Sequence, residues 1–261
     1  MMMRNRIVAV SYLNTIPFIY GIEHAGIDLY ADLLLSPPRG CASLLRDGGA
    51  EIALIPVAAV PSIPDIRIVT PFCIGASRSV RTVVLAADSP LDRLDTIYLD
   101  SHSLTSVRLA RILASKLWGI RPEWKELKDF SALNAPQPRT GYLIIGDKVF
   151  DHEEKFRYRY DLADAWREMT GLPFAFAAWV ARSGVDDRTV ERLAEALDYG
   201  VRHIPEAIAC YGYGDRSYAY DYLTRNIDFV FDEQKRRATA LYWQDALRLF
   251  FHFISNAPHH L

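Results

Sequence analysis

The sequence is short of cysteine, has no long apolar run and carries almost no charge imbalance, and each shortage removes a class of protein. Its three cysteines, Cys41, Cys73 and Cys210, are odd in number and far apart. Without metal-ligand spacing or a disulfide framework, they predict reduced thiols and a cytoplasmic chain. No window approaches the roughly 18 apolar residues of a membrane span. After Met1–Arg6 the chain is apolar only over Ile7–Val10 before Ser11 and Asn14 interrupt it. A secretory leader needs about 7–15 apolar residues and a small-residue cleavage site, so none is expected. Net charge is −2 over 261 residues, which leaves no global field favouring nucleic acid or a membrane surface. The local run Lys235-Arg236-Arg237 reads as a solvated helix face.

Chemical signatures are equally sparse. There is no Gly-x-Ser-x-Gly elbow, His-Glu-x-x-His pair, phosphate-binding loop or dinucleotide fingerprint. Gly212-Tyr213-Gly214 is followed by Asp215 and Arg216 and reads as a turn. Among the seven histidines only His259 and His260 are paired, at the tail. His102 lies in a polar loop, where a lone histidine is usually structural or solvated.

What is present is an α/β pattern. Half of the residues are hydrophobic and 24% are charged, the mix of a chain with substantial cores. Short apolar runs predict strands at Ile7–Val10, Asp32–Leu35, Ile52–Ile55, Arg67–Thr70, Thr82–Ala86, Thr96–Asp100, Tyr142–Ile145 and Phe174–Val180. Helical spacing predicts helices over Pro17–Ala25, Gly40–Asp47, Ser106–Leu117, Asp186–Arg202 and Gln234–His252. The stretch from Ala86 to Leu94, punctuated by Pro90, reads as a connection between two halves. A return near Phe174–Val180, after Gly171-Leu172-Pro173, makes two crossings and a cleft. This places one lobe at 1–86 plus 176–261 and the other at 87–175.

Five segments offer cleft chemistry. Asp100-Ser101-His102-Ser103-Leu104-Thr105-Ser106 follows a strand and opens an amphipathic helix. Its hydroxyls stand beside unpaired backbone N–H groups, where the helix dipole favours an anion. Ser103 or Thr105 also reads as a simple cap, and the two roles are compatible. Ser11-Tyr12-Leu13-Asn14-Thr15-Ile16-Pro17 ends the first strand, where open α/β sheets bind ligands; Asn14 reads equally as a helix N-cap. Pro56 and Val57 end another strand, and Gly75–Thr82 supplies hydroxyls with Arg78 and Arg81. Gly146 and Asp147 end a strand of the second half, with Asp147 facing the cleft or capping the next turn.

Six blocks together resemble one family. Ser-Tyr-Leu-Asn-Thr-x-Pro, Ile-Pro-Val, Ser-Val-Arg-Thr-Val, Thr-Ser-Val-Arg-Leu-Ala, Leu-Ile-Ile-Gly-Asp and Gly-Leu-Pro-Phe-x-Phe-Ala-x-Trp occur in order between residues 7 and 182. They resemble the MqnA/MqnD family of the futalosine route to menaquinone; the C-terminal helices match in type alone. The resemblance implies a two-lobed, periplasmic-binding-protein-like fold of type II with its site between the lobes. The Ser-Tyr-Leu-Asn block is similar to the chorismate dehydratase branch. That implies loss of water from chorismate to give 3-[(1-carboxyvinyl)oxy]benzoate, with no cofactor or metal. The family is thought to use the substrate's enolpyruvyl carboxylate as base, which leaves the protein to position and stabilise. The family's asparagine falls on Asn14. Its serine falls on Thr82, a departure that keeps the hydroxyl but adds a methyl, altering rotamer preference. By the same resemblance Ser103, Thr105 and Ser106 hold a carboxylate. Ser11, Pro56 and Val57 line one lobe, and Gly146 and Asp147 the other.

Three alternatives follow from the same fold. A solute-binding protein would carry an export signal. The sister dihydroxynaphthoate synthase would place a second-lobe histidine in the cleft. A regulator's effector domain would follow a helix-turn-helix segment.

Overall fold

The computed structural model describes residues 4–152, 154–211 and 214–255, with side chains through residue 249. The expected turn at Gly212-Tyr213, His259, His260 and the side chains of Phe250 and Phe251 lie outside the described residues. The chain first lays down β1 (Asn5–Val10), β2 (Ala31–Ser36), β3 (Ile52–Pro56) and β4 (Ile66–Ala76). A second sheet follows, built from β5 (Val83–Ala87), β6 (Thr96–Asp100), β7 (Glu123–Leu127), β8 (Thr140–Ile145) and β9 (Tyr158–Asp161). The chain then returns to the first sheet with β10 (Phe174–Arg182) and β11 (Asp228–Val230). Strand order is β11-β4-β10-β3-β1-β2 in the first sheet and β7-β6-β8-β5-β9 in the second. The helices are α1 (Ile16–His24), α2 (Pro38–Arg46), α3 (Thr105–Leu113), α4 (Leu162–Thr170), α5 (Asp187–Arg202), α6 (Ile204–Tyr211), α7 (Arg216–Asp221) and α8 (Glu233–Ser255).

The first change of sheet comes earlier than the sequence pattern suggested. Val83–Ala87 pairs with β8 and β9, so the chain leaves the first sheet between Ala76 and Val83 and not at 86–94. A strand buried along its whole length reads the same in either sheet, so pattern alone does not assign it. On return, β10 inserts antiparallel between β3 and β4, with Ala178 opposite both Ile55 and Cys73.

The core is continuous beneath this insertion. Phe18 of α1 meets Phe72, Trp179 and Phe229 edge-on at centroid distances of 6.1, 5.8 and 5.2 Å. Such geometry adds about 0.5–1.5 kcal/mol per pair beyond area burial. Gly21 and Gly200 let α1 and α5 touch backbone to backbone: a Cβ on Gly200 would lie 1.8 Å from the Pro17 carbonyl oxygen.

One surface expectation is overturned. Lys235 is fully buried and pairs with Asp228 at 2.6 Å and Asp232 at 3.1 Å. Only Arg236 and Arg237 of that run are exposed. The periodicity of α8 turns Lys235 inward beside Ala238 and Thr239, both buried. Among the described residues, no helix is long and apolar enough to cross a membrane.

Candidate functional site

Strands β1, β3 and β8 end at one pocket, lined there by Val10, Pro56 and Ile145, with a cavity volume of about 60 Å³. Ligand sites of α/β sheets commonly lie beyond the carboxyl ends of strands. From the first sheet come Val10, Tyr12, Asn14, Pro56, Ile74, Phe176 and Ala177. From the second come Val83, Ser103, Leu104, Thr105, Ser106, Ile145 and Gly146, with Thr82 immediately before β5. The described lining holds no Asp, Glu, Lys, Arg or His. Its polar groups are hydroxyls, one amide, one phenol and backbone.

Asn14 and Thr82 are the polar centre. Asn14 is 8% exposed and Thr82 1%. Neither contacts the other directly among the described hydrogen bonds; Tyr222 joins them. Its Oη accepts from Asn14 Nδ2 at 3.3 Å and lies 2.7 Å from Thr82 Oγ1. Thr15 Oγ1 donates to Asn14 Oδ1 at 3.2 Å, holding the other end of the amide. Asn14 therefore does not cap α1, whose N-cap position carries no side-chain bond. Burial of Tyr222, outweighing its hydrogen bonds from Thr82 and Asn14, pushes the phenol pKa well above its ordinary value.

At the start of α3 the three hydroxyls do different work. Ser103 Oγ accepts the Ser106 N–H at 3.1 Å, so it caps the helix. Thr105 Oγ1 accepts from the Ala58 N–H at 3.2 Å and donates to the Phe176 carbonyl at 3.0 Å. That hydroxyl is spent tying the helix to β10 and the turn after β3. Below the loop, fully buried Asp100 accepts from Lys148 at 2.6 Å and from the His102 N–H at 3.0 Å. His102 itself is not in the lining, and its side chain is about half exposed.

The remaining candidates divide. Pro56 and Gly146 line the cavity. Gly146 has φ +69°, and a Cβ there would sit 2.8 Å from the Tyr12 ring; only glycine permits that approach without strain. Ser11, Val57 and Asp147 are not in the lining. Exposed Ser11 extends the β1–β2 ladder by donating its N–H to Ser36 O. Val57 is fully buried, with its carbonyl taken by Trp243 Nε1 at 2.8 Å. Asp147 reaches across to accept the Leu13 N–H at 3.0 and 3.2 Å. Burial, opposed by that bond and reinforced by Asp151, pushes its carboxyl up. Arg81, at φ +62°, turns its N–H to Asp161 and its guanidinium to Tyr218, not into the cavity.

Sequence reading missed Tyr12, Tyr222 and Asp100. Tyr12 stood inside a block already singled out. Tyr222 ends the tyrosine-rich run Tyr218-Ala-Tyr220-Asp-Tyr222, a legible signal that nothing nearby connects to residues 14 or 82.

Helix starts shape the electrostatics. Helix α1 begins two residues after Asn14, α2 begins at cavity-lining Pro38, and α3 begins at cavity-lining Thr105. None of the three carries an acidic residue in its first turn or a side-chain bond at its N-cap position. Ser103 takes one N–H of α3 and Asp147 the N–H ahead of α1, but no first-turn acid offsets the partial positive charge of these starts, which favours an anion in the space.

Two sheets, with the chain passing twice between them and an uncharged cavity at their junction, define a periplasmic-binding-protein-like fold. Solved structures bear this out: protein AF1704 from Archaeoglobus fulgidus superposes with TM-score 0.76 at 16% identity, covering 95% of this chain and 98% of that one. The Candida albicans CA3427 gene product, described as having the generic periplasmic binding protein fold, gives TM-score 0.63 at 11% identity over 95% and 94%. The aliphatic sulphonate binding protein SsuA from Escherichia coli gives 0.61 at 13% over 97% and 94%. The chain belongs to the menaquinone biosynthesis family, whose sequence model matches residues 5–247.

Proposed function

We propose that this protein is a cytoplasmic chorismate dehydratase, converting chorismate to 3-[(1-carboxyvinyl)oxy]benzoate and water on the futalosine route to menaquinone. The cavity carries the reading: an uncharged, mainly apolar space with Asn14, Thr82 and Ser106 at its polar points and three helix starts at its edge suits a small dicarboxylate with a ring. A partly buried anion at a helix start gains up to about 2 kcal/mol. Neutral donors achieve this without a buried cation that would need its own partner when the site is empty.

The proposed reaction needs little from the protein beyond geometry. The ring C3 proton passes to the substrate's own enolpyruvyl carboxylate, and the C–H electron pair forms the new ring double bond as the C4–O bond breaks. The hydroxyl leaves as water with that proton, and the ring becomes aromatic. Asn14 and Thr82 orient the departing hydroxyl and the reacting conformer, and the α3 start with Ser106 holds a carboxylate. Positioning and preorganised hydrogen bonds of this kind supply most of a catalytic effect where the driving force lies in the substrate. Lobe I in this proposal is the first sheet with its helices, and lobe II is the second.

Purified protein incubated with chorismate, without added metal or nucleotide, is expected to yield 3-[(1-carboxyvinyl)oxy]benzoate on chromatography. Asn14→Ala should nearly abolish it. Chorismate left intact at high protein concentration would overturn the assignment.

A further inference from the structure

The geometry points to Tyr222 as the positioning residue that sets Asn14 and Thr82 in register across the cleft. This rests on the dehydratase reading for its kinetic consequence, though not for the contacts themselves. Asn14 follows β1 of the first sheet, Thr82 precedes β5 of the second, and Tyr222 arrives from a helical turn 140 residues after Thr82. One phenol oxygen therefore bridges both sides of the site.

Proton inventory gives the bridge a direction. The Asn14 Nδ2 donates and does not accept, so among the described bonds Thr82 Oγ1, 2.7 Å away, is the acceptor for the phenol proton; the reverse direction, which the distance equally allows, would leave that proton without one. With its lone pair so engaged, the Thr82 hydroxyl directs its own proton elsewhere. The Val80 carbonyl lies at a long 3.4 Å, a weak bond at best. An oxygen in the cavity is the better acceptor. The order Asn14 to Tyr222 to Thr82 to ligand thus makes Thr82 a polarised donor, and chained hydrogen bonds reinforce one another.

A packing role alone does not account for the hydroxyl. The Tyr222 ring meets Phe150 edge-on at 5.3 Å, which a phenylalanine would do equally well. A fully buried hydroxyl is costly unless bonded, and its two bonds go to the two polar groups at the centre of the cavity.

Tyr222→Phe keeps the ring and removes the tether. Steady-state turnover of chorismate by the wild type, Y222F, T82V and the double variant tests the assignment. Y222F should lower kcat by about 100-fold, the scale of a small misplacement of reacting groups, while KM moves less than about threefold. The double variant should be no slower than T82V, because both changes break one chain. A kcat for Y222F within about twofold of wild type, a raised KM with kcat intact, or losses that multiply would overturn it. If the wild type leaves chorismate intact, the side-chain amide signals of Asn14 in 15N-labelled protein still decide. They should shift toward those of a free amide in Y222F, and unchanged signals would sink the tether.

Discussion

Helix starts in this protein fall into two groups, and the difference locates the site. Away from the cavity, helix starts are paired with acid. Asp161 caps α4 through the Ala163 and Asp164 N–H groups, Asp186 caps α5 through Thr189, and Asp215 caps α7 through Tyr218. Asp232 accepts the Lys235 N–H in the first turn of α8, and α6 carries Glu206. At the cavity, α1, α2 and α3 have no acid of their own in the first turn. Carboxylates outside these helices serve the approaches instead: Asp147 comes from the opposite sheet to take the Leu13 N–H ahead of α1, and Asp100 takes the His102 N–H ahead of α3. Charge compensation is the rule where the chain only needs stability. At the cavity the first turns lack an acid of their own, which is what the proposed function asks of starts that meet an anionic substrate.

The most direct way to break the contrast is to compensate α3 artificially. Ser106→Asp places a fixed carboxylate where the substrate's should sit, and like-charge juxtaposition costs several kcal/mol. Chorismate turnover should fall about 10³-fold in kcat/KM, against a much smaller loss for Ser106→Asn. The converse test removes the cation that balances an acid-paired start. Lys235→Met leaves Asp228 and Asp232 facing an apolar side chain, and stability should drop by about 3 kcal/mol in denaturant melts. Its sign with pH follows from Asp228. Burial raises that carboxyl, but Lys235 and Ser77 outweigh it and hold it below the usual range. The stabilisation is therefore full above the unfolded carboxyl's pKa and lost as pH falls through the folded one.

A smaller effect separates stability from activity at a remote cap. Asp186→Ala should cost about 1 kcal/mol and leave turnover unchanged; a large loss of activity there would erase the distinction between the two groups. The smallest expected change concerns Asp147. Its folded carboxyl is raised, so its ionised form is disfavoured in the fold. That cost is absent below the unfolded pKa of about 4 and full above the folded value. Asp147→Asn, whose Oδ1 still accepts from Leu13, should raise the melting temperature slightly at pH 7. The gain should vanish in melts below about pH 4.

Three strands escaped sequence reading, and all three are edges: β7, β9 and β11. Glu123–Leu127 buries only Leu127 and Tyr158–Asp161 buries none of its residues fully. Edge strands are short and charged because an apolar edge would recruit other chains, so the feature that protects them also hides them. The inner strands, buried along most of their length, were legible from their apolar runs. At the site, seven of the ten candidate residues line one cavity, since strand ends and helix starts are marked by Asn, Ser, Thr, Pro and Gly. The tyrosine run around Tyr222 was legible but its link to the site was not, because a tether between residues 14 and 82 depends on tertiary proximity that no local pattern encodes.

The insertion of β10 between β3 and β4 has a consequence for the order in which the protein can be made. Every strand of the second sheet lies between residues 83 and 161, so that sheet has all its pieces as soon as this stretch leaves the ribosome. The first sheet does not. Its β3 and β4, only nine residues apart in sequence, must wait with a gap between them for a strand synthesised about a hundred residues later. Long-range pairing of this kind slows folding, and premature zipping of β3 onto β4 would shut out β10. The first sheet therefore cannot be completed until β10 and β11 emerge, and the half made first is completed last.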